Sequence, residues 1–177
     1  MSLNTALAIS LGVLGAIATW LFLGPLGGAL AIWAAFIAWA CFFHSGGKET
    51  GLQSTILSTA AGAIIAGITL KIATAEIGSS LPAAVWPAII VGLGVAAMVL
   101  LANVPVFASI PGQVYGFAST VALTLVGNAG GHLTSASLEN PVIVIILSMI
   151  IGAVFGYVSE KVAGMLVGAS HGAAAKA

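Results

Sequence analysis

Arginine and aspartate are missing from this chain altogether, and lysine and glutamate occur only four times each. With 5% of its residues charged, against about a quarter in a soluble domain, the chain cannot build an ordinary solvated surface. A formal net charge of zero leaves no basic face for nucleic acid and no polybasic patch for anionic lipid. Cysteine is scarce too. Cys41 is the only one, which excludes an intramolecular disulfide and paired-cysteine metal motifs and marks it, within an apolar run, as a small packing residue. His44, His132 and His171 stand apart from one another, without the short spacing that nucleates a metal site. No nucleophile elbow, phosphate loop or dinucleotide fingerprint occurs. These absences argue against an enzyme and against a bound cofactor or metal.

What is present is apolar: 60% hydrophobic residues and a mean hydropathy of +1.22, the composition of an integral membrane protein. The first lysine is Lys48, so the positive n-region of a secretory signal is missing, and residues 5–23 read as a retained span. Further runs near the roughly 20 residues needed to cross a bilayer cover 25–43, 53–70, 82–102, 105–127 and 141–159. The expected fold is all-α, a polytopic transmembrane helical bundle of about six spans, forming a single integral membrane domain over residues 1–177. Pro105 and Pro111-Gly112 predict a broken fifth helix, because residues 113–127 alone would rise only about 22 Å. With six spans both termini share a side with Lys48, Lys161 and Lys176, while Lys71 falls opposite. That balance favours cytoplasmic termini.

The polar island His44-Ser45-Gly46-Gly47-Lys48-Glu49-Thr50-Gly51-Leu52-Gln53-Ser54-Thr55 has a relative further along, from Ser109 to Thr120. At a constant offset Phe42, Gly47, Gly51, Ser54 and Thr55 meet Phe107, Gly112, Gly116, Ser119 and Thr120. This suggests repeats over 25–78 and 82–127, parallel if two full spans separate the copies and inverted if the fifth segment is re-entrant. Repeats interrupted at matching places point to a transport site near the midplane. The competing account is two hairpin turns that look alike because turns favour Gly, Ser and Thr.

Neutral polar groups flank both breaks: Thr50, Gln53, Ser54 and Thr55 in the first, Gln113, Tyr115, Ser119 and Thr120 in the second. Such groups exchange hydrogen bonds with water or an uncharged solute without the cost of an ion in low dielectric. Taken singly, each Ser or Thr is better explained by a bond to its own helix carbonyl. Asn103, before Pro105, is either a cap or a solute contact. His44, Lys48 and Glu49 are the densest ionisable group. Beside a double glycine at a span end they fit a solvated loop, with a Lys48–Glu49 or His44–Glu49 contact, better than a reactive site. Glu49, Glu76, Glu139 and Glu160 all lie at predicted span ends. With no acid in the span cores, passive conduction is favoured over ion-coupled pumping.

Small residues recur four apart at Gly24/Gly28, Gly47/Gly51, Gly112/Gly116, Gly152/Gly156 and Gly164/Gly168. In lipid this spacing supports close helix contact, and a chain so small and apolar is expected to form a homo-oligomer. Of the tryptophans, Trp33 and Trp39 are too deep in their run for both to lie at one interface.

The early Trp-containing spans and the His-Ser-Gly-Gly-Lys-Glu-Thr-Gly turn after the second span resemble a bacterial domain-of-unknown-function family of small inner-membrane proteins, the YcdZ-like group. The resemblance covers nearly the whole length. It implies a bacterial inner-membrane location and carries over no catalytic or binding residues. In plan the chain also resembles compact channels for urea, ammonia or short carboxylic acids, without their signature motifs.

The expected function is a passive channel or facilitator for a small neutral or weakly ionising solute, such as urea, an amide or a short carboxylic acid. Its pathway is expected to run along His44, Gly47, Thr50, Gly51, Gln53, Ser54, Thr55, Asn103, Gly112, Gln113, Tyr115, Gly116, Ser119 and Thr120. On that expectation, leucine at Gly51 or Gly116 blocks flux without unfolding the protein. The alternatives are a non-conducting membrane scaffold or accessory subunit, and an ion-coupled transporter using His44 and Glu49.

Overall fold

The apolar runs form six helices in the computed structural model, which describes residues 1–78 and 80–174. They are α1 (Leu3–Leu23), α2 (Ile32–His44), α3 (Lys48–Ala73), α4 (Val85–Leu101), α5 (Ile110–Val126) and α6 (Pro141–Ala174). Among the described residues there is no strand. Three helices, α1, α3 and most of α6, are long and apolar enough to cross a membrane, and the other three are shorter apolar helices. The chain is a helical membrane protein. Lys176 and the side chain of His171 lie outside the described residues.

Short connections force sequential helices to run in opposite directions. The Met1 amino group donates to Ser170 Oγ at 2.9 Å, and Ser10 Oγ donates to the Ser159 carbonyl at 2.8 Å, so α1 is antiparallel to α6. The Ala31 amide donates to Ser148 Oγ and Trp39 Nε1 to Ser159 Oγ, which sets α2 parallel to α6. Gly67 meets Val142 while Lys48 meets Glu160, so α3 is antiparallel to α6. Trp86 Nε1 donates to the Ile72 carbonyl, and Ala66, Met98 and Phe117 form one buried group. That brings α4 back down beside α3 and sends α5 up again. Both ends of the described chain therefore lie at one end of the bundle, the lower end, with the 44–48 turn and the 102–109 connection.

Three expectations change. The second span is shorter, because Gly27 and Gly28 take positive φ of 55° and 75° and hold 24–31 out of the helix. The resulting 13-residue α2 is only about 20 Å long. The third span starts earlier, at Lys48 rather than Gln53, so the polar island is half turn and half first helical turn. The fifth helix is unbroken. Pro111 sits in its first turn, where a missing N–H costs nothing, and Ser109 Oγ caps it by accepting from the Gly112 amide at 3.2 Å. The interruption falls ahead of the helix, where Pro105–Phe107 make a single 3₁₀ turn.

Glycines at the helix crossings let backbones approach closely. A Cβ added at Gly152 would fall on the Ala35 carbonyl, and one at Gly156 would lie 2.9 Å from the Phe42 ring. Trp39 is buried, stacked on Phe36 at 5.7 Å and packed against Phe155 at 5.6 Å. Trp33 and Trp20 are exposed, as suits side chains facing lipid or the headgroup belt.

Candidate functional site

Helical spacing gathers the small and hydroxylic residues of α3 on one face. Gly51, Thr55, Ser58, Thr59 and Gly62 are all buried, at the three-and-four-residue intervals of a single stripe. On α5 the buried residues Gly112, Gln113, Gly116, Ser119, Thr120 and Thr124 form the matching stripe. The two stripes face each other. A Cβ at Gly62 would fall on the Gln113 carbonyl, and one at Gly116 on the Thr59 carbonyl. Gly62 and Gly116 therefore bring the two backbones into direct contact, as small residues do in lipid. Leucine at Gly116 would force the helices apart rather than plug an open pore. Gly51 is likewise a packing point, its Cβ position lying 3.1 Å from the Phe42 carbonyl oxygen.

Within this seam four side-chain atoms are buried without a hydrogen-bond partner among the described residues: Thr55 Oγ1, Ser58 Oγ, Gln113 Oε1 and Thr120 Oγ1. Other hydroxyls, Thr124 of the same stripe included, do what they usually do in lipid-embedded helices, bonding back one turn. Thr19 donates to the Gly15 carbonyl, Thr124 to that of Thr120 and Ser148 to that of Val144. Thr55, Ser58 and Thr120 do not. Leaving a buried polar group unpaired costs about 1–3 kcal/mol, so the seam holds a surplus of polar capacity that packing does not explain. Gln113 is 0% exposed. Its Nε2 donates to the Phe107 carbonyl at 2.7 Å, using one end of the amide and leaving the other.

The remaining predicted residues separate from the seam. Thr50, Gln53 and Ser54 line an open groove of about 200 Å³ with Leu57, Pro105 and Val106, on the outer side of α3. His44 is exposed. Asn103 is an exposed cap whose Nδ2 donates to the Leu100 carbonyl at 2.9 Å. Tyr115 packs against the apolar group formed by residues of α2, α3 and α6. Sequence reasoning stopped its motif at Thr55 and so missed Ser58 and Thr59, which the three-and-four spacing continues. It also set aside Cys41, whose thiol lies 3.8 Å from Ser45 Oγ and faces the start of α5.

The charged part of the polar island clamps α3 to α6. The turn takes positive φ at Gly46, Gly47 and Lys48, and the Lys48 amide donates to Glu160 Oε2 at 2.8 Å. A carboxylate at a helix N-terminus is favourably placed against its unpaired amides. Glu49 does not contact Lys48 or His44 in the way expected from their adjacency. It accepts from Tyr157 Oη at 2.8 Å and from Lys161 Nζ at 3.1 Å, and Lys161 lies 5.0 Å from the Tyr157 ring centre. This cluster is exposed, with side-chain exposures of 53% for Lys161 and 69% for Glu49.

The seam thus offers neutral hydrogen-bond donors and acceptors and no charged side chain. No curated protein and no solved structure matches the chain. Residues 8–164 match the family described as protein of unknown function (DUF1097), and the chain belongs to that family.

Proposed function

We propose that the protein is a passive facilitator for a small neutral or weakly ionising solute of the urea, amide or short carboxylic acid type, which moves along the α3–α5 seam. The observation that carries this reading is the row of buried, unpartnered polar atoms at Thr55, Ser58, Gln113 and Thr120. In lipid such atoms are retained at a cost, and a passing solute or water satisfies them in turn. The seam holds none of the chain's Lys or Glu residues, in keeping with carriage without chemistry and without ion coupling. Because the backbones touch at Gly62 and Gly116, permeation requires α3 and α5 to part, so the path is gated.

The proposed setting is the bacterial inner membrane with cytoplasmic termini, supported by Lys48 and Lys161 at the lower end against Lys71 at the upper. We also propose a homo-oligomer. Gly12 and Gly164 have open space where a side chain would stand, which leaves room for close helix approach by a second copy.

The test is osmotic re-swelling of proteoliposomes, followed by stopped-flow light scattering in urea, acetamide, glycerol and acetate. The protein is expected to accelerate entry of at least one of them. Thr120→Val, which keeps shape and removes one hydroxyl, should then slow that entry about fivefold, the equivalent of ~1 kcal/mol. No acceleration in vesicles containing folded protein would replace this reading with a non-conducting scaffold.

A further inference from the structure

The lower part of the seam collects groups from three helices. A Cβ built on Gly112 would lie 2.9 Å from Ser58 Cβ, 3.1 Å from Ser109 Oγ and 3.4 Å from Cys41 Sγ. α2, α3 and the first turn of α5 therefore meet at this glycine. Thr55 lies beside the same thiol, a weak hydrogen-bonding group at most, and its hydroxyl, like that of Ser58, is buried with no well-formed hydrogen bond among the described residues. Gln113 follows Gly112 directly.

The Gln113 amide has a fixed sense. Its Nε2 donates to the Phe107 carbonyl, and the reversed orientation would set two carbonyl oxygens against each other. Oε1 is consequently an acceptor that lacks a donor, whereas the Thr55 and Ser58 hydroxyls can donate or accept. An ion placed here would exchange its hydration for neutral dipoles alone, at a large cost in low dielectric. The hydrogen-bonding capacity of a primary amide or urea matches these groups: an N–H can answer Gln113 Oε1, and the carbonyl oxygen can accept from the hydroxyls. A water molecule can meet the same atoms, making about three hydrogen bonds, and hydrocarbon none, so the test has to separate an amide from water.

We infer that Thr55, Ser58 and Gln113, gathered where α3 meets the first turn of α5, form a binding site for a small neutral amide that donates to Gln113 Oε1 and accepts from the Thr55 and Ser58 hydroxyls. The inference rests on the seam being the solute path.

Cys41 is the only cysteine and stands at this site, so it reports occupancy independently of flux. Iodoacetamide is itself a small primary amide. The Cys41 sulfur, as thiolate, displaces iodide from its methylene carbon; a C–S bond forms, a C–I bond breaks, and the thiol proton goes to buffer. The full chain in proteoliposomes is treated with iodoacetamide and followed by intact mass. Labelling of the folded protein is expected. Acetamide at about ten times its dissociation constant should slow it about tenfold, while acetate at the same concentration leaves the rate unchanged. Gln113→Leu should abolish the protection, and Thr55→Val serves as the second variant if the first fails to fold. Labelling only after denaturation would overturn the site, and so would equal rates with and without acetamide or equal protection by acetate. Protection without flux would leave a binding site and remove the facilitator; flux without protection would place the path elsewhere.

Discussion

At Gly47 the backbone adopts φ 66° and ψ −161°, a region open essentially to glycine, and the Glu160 carboxylate fills the space a side chain would take. Lys48, with φ 57°, has no such freedom, and a non-glycine residue there is strained. The hydrogen bond from its amide to Glu160 offsets part of that strain. Gly47→Ala is therefore expected to destabilise the protein by about 1–3 kcal/mol, and Glu160→Ala by about 2 kcal/mol through loss of a charged acceptor. Denaturant unfolding in detergent, followed by circular dichroism, measures both. Glu49→Gln should change stability little, because the Glu49–Lys161 pair is exposed and solvent screens it. An equal loss in Glu49→Gln would shift the clamp from the glycine turn to that outer pair.

At the scale of the helix the glycines divide into those that touch a neighbour and those that do not. Gly116 lies against the Thr59 backbone and Gly62 against that of Gln113, while Gly92 has nothing near it. Gly116→Ala should cost about 3 kcal/mol or more by overpacking a backbone contact, whereas Gly92→Ala should be neutral or stabilising by up to about 1 kcal/mol. Thermal unfolding of the two variants in the same detergent tests the difference. Much of this element-level order was legible in the sequence. Thr55, Gln113, Ser119 and Thr120 were named from their polarity within apolar runs, and all four are buried in the seam. Ser58 and Thr59 needed only the helical interval to be extended past Thr55. The boundaries were harder. Hydropathy counts Gly27 and Gly28 as ordinary members of an apolar run, although their positive φ ends it. It also discounts Lys48, Glu49 and Thr50, polar residues in the first helical turn, whose first amide, that of Lys48, donates to Glu160. That Thr55 lacks a partner while Thr124 has one depends on rotamer and neighbour, which no pattern of residue types encodes.

Across the whole molecule the alternation of direction places Met1, the 44–48 turn and the lower part of α6 together, with the 24–31 and 127–140 segments opposite. In a Cys41→Ser background, single cysteines at Ser2 and at Thr134 should react with an impermeant maleimide from opposite sides of the membrane. Labelling of both from the same side would overturn this arrangement. The alternation was legible from six apolar runs joined by short connections, but the pairing of α3 with α5 was not, because every helix here is rich in residues that permit close contact.

The shortness of α2 bears on the lipid around it. A helix of 13 residues spans about 20 Å, well under the roughly 30 Å of hydrocarbon in a typical bilayer. The segment before it carries backbone amides and carbonyls, and such groups are tolerated at membrane depth only where protein or water meets them. Beside α2 the bilayer must thin or the protein must tilt, and the aqueous boundary dips toward the middle of the bundle on that flank. Hydrophobic mismatch is thus built into one side of the molecule, and lipids with longer acyl chains press on that side first.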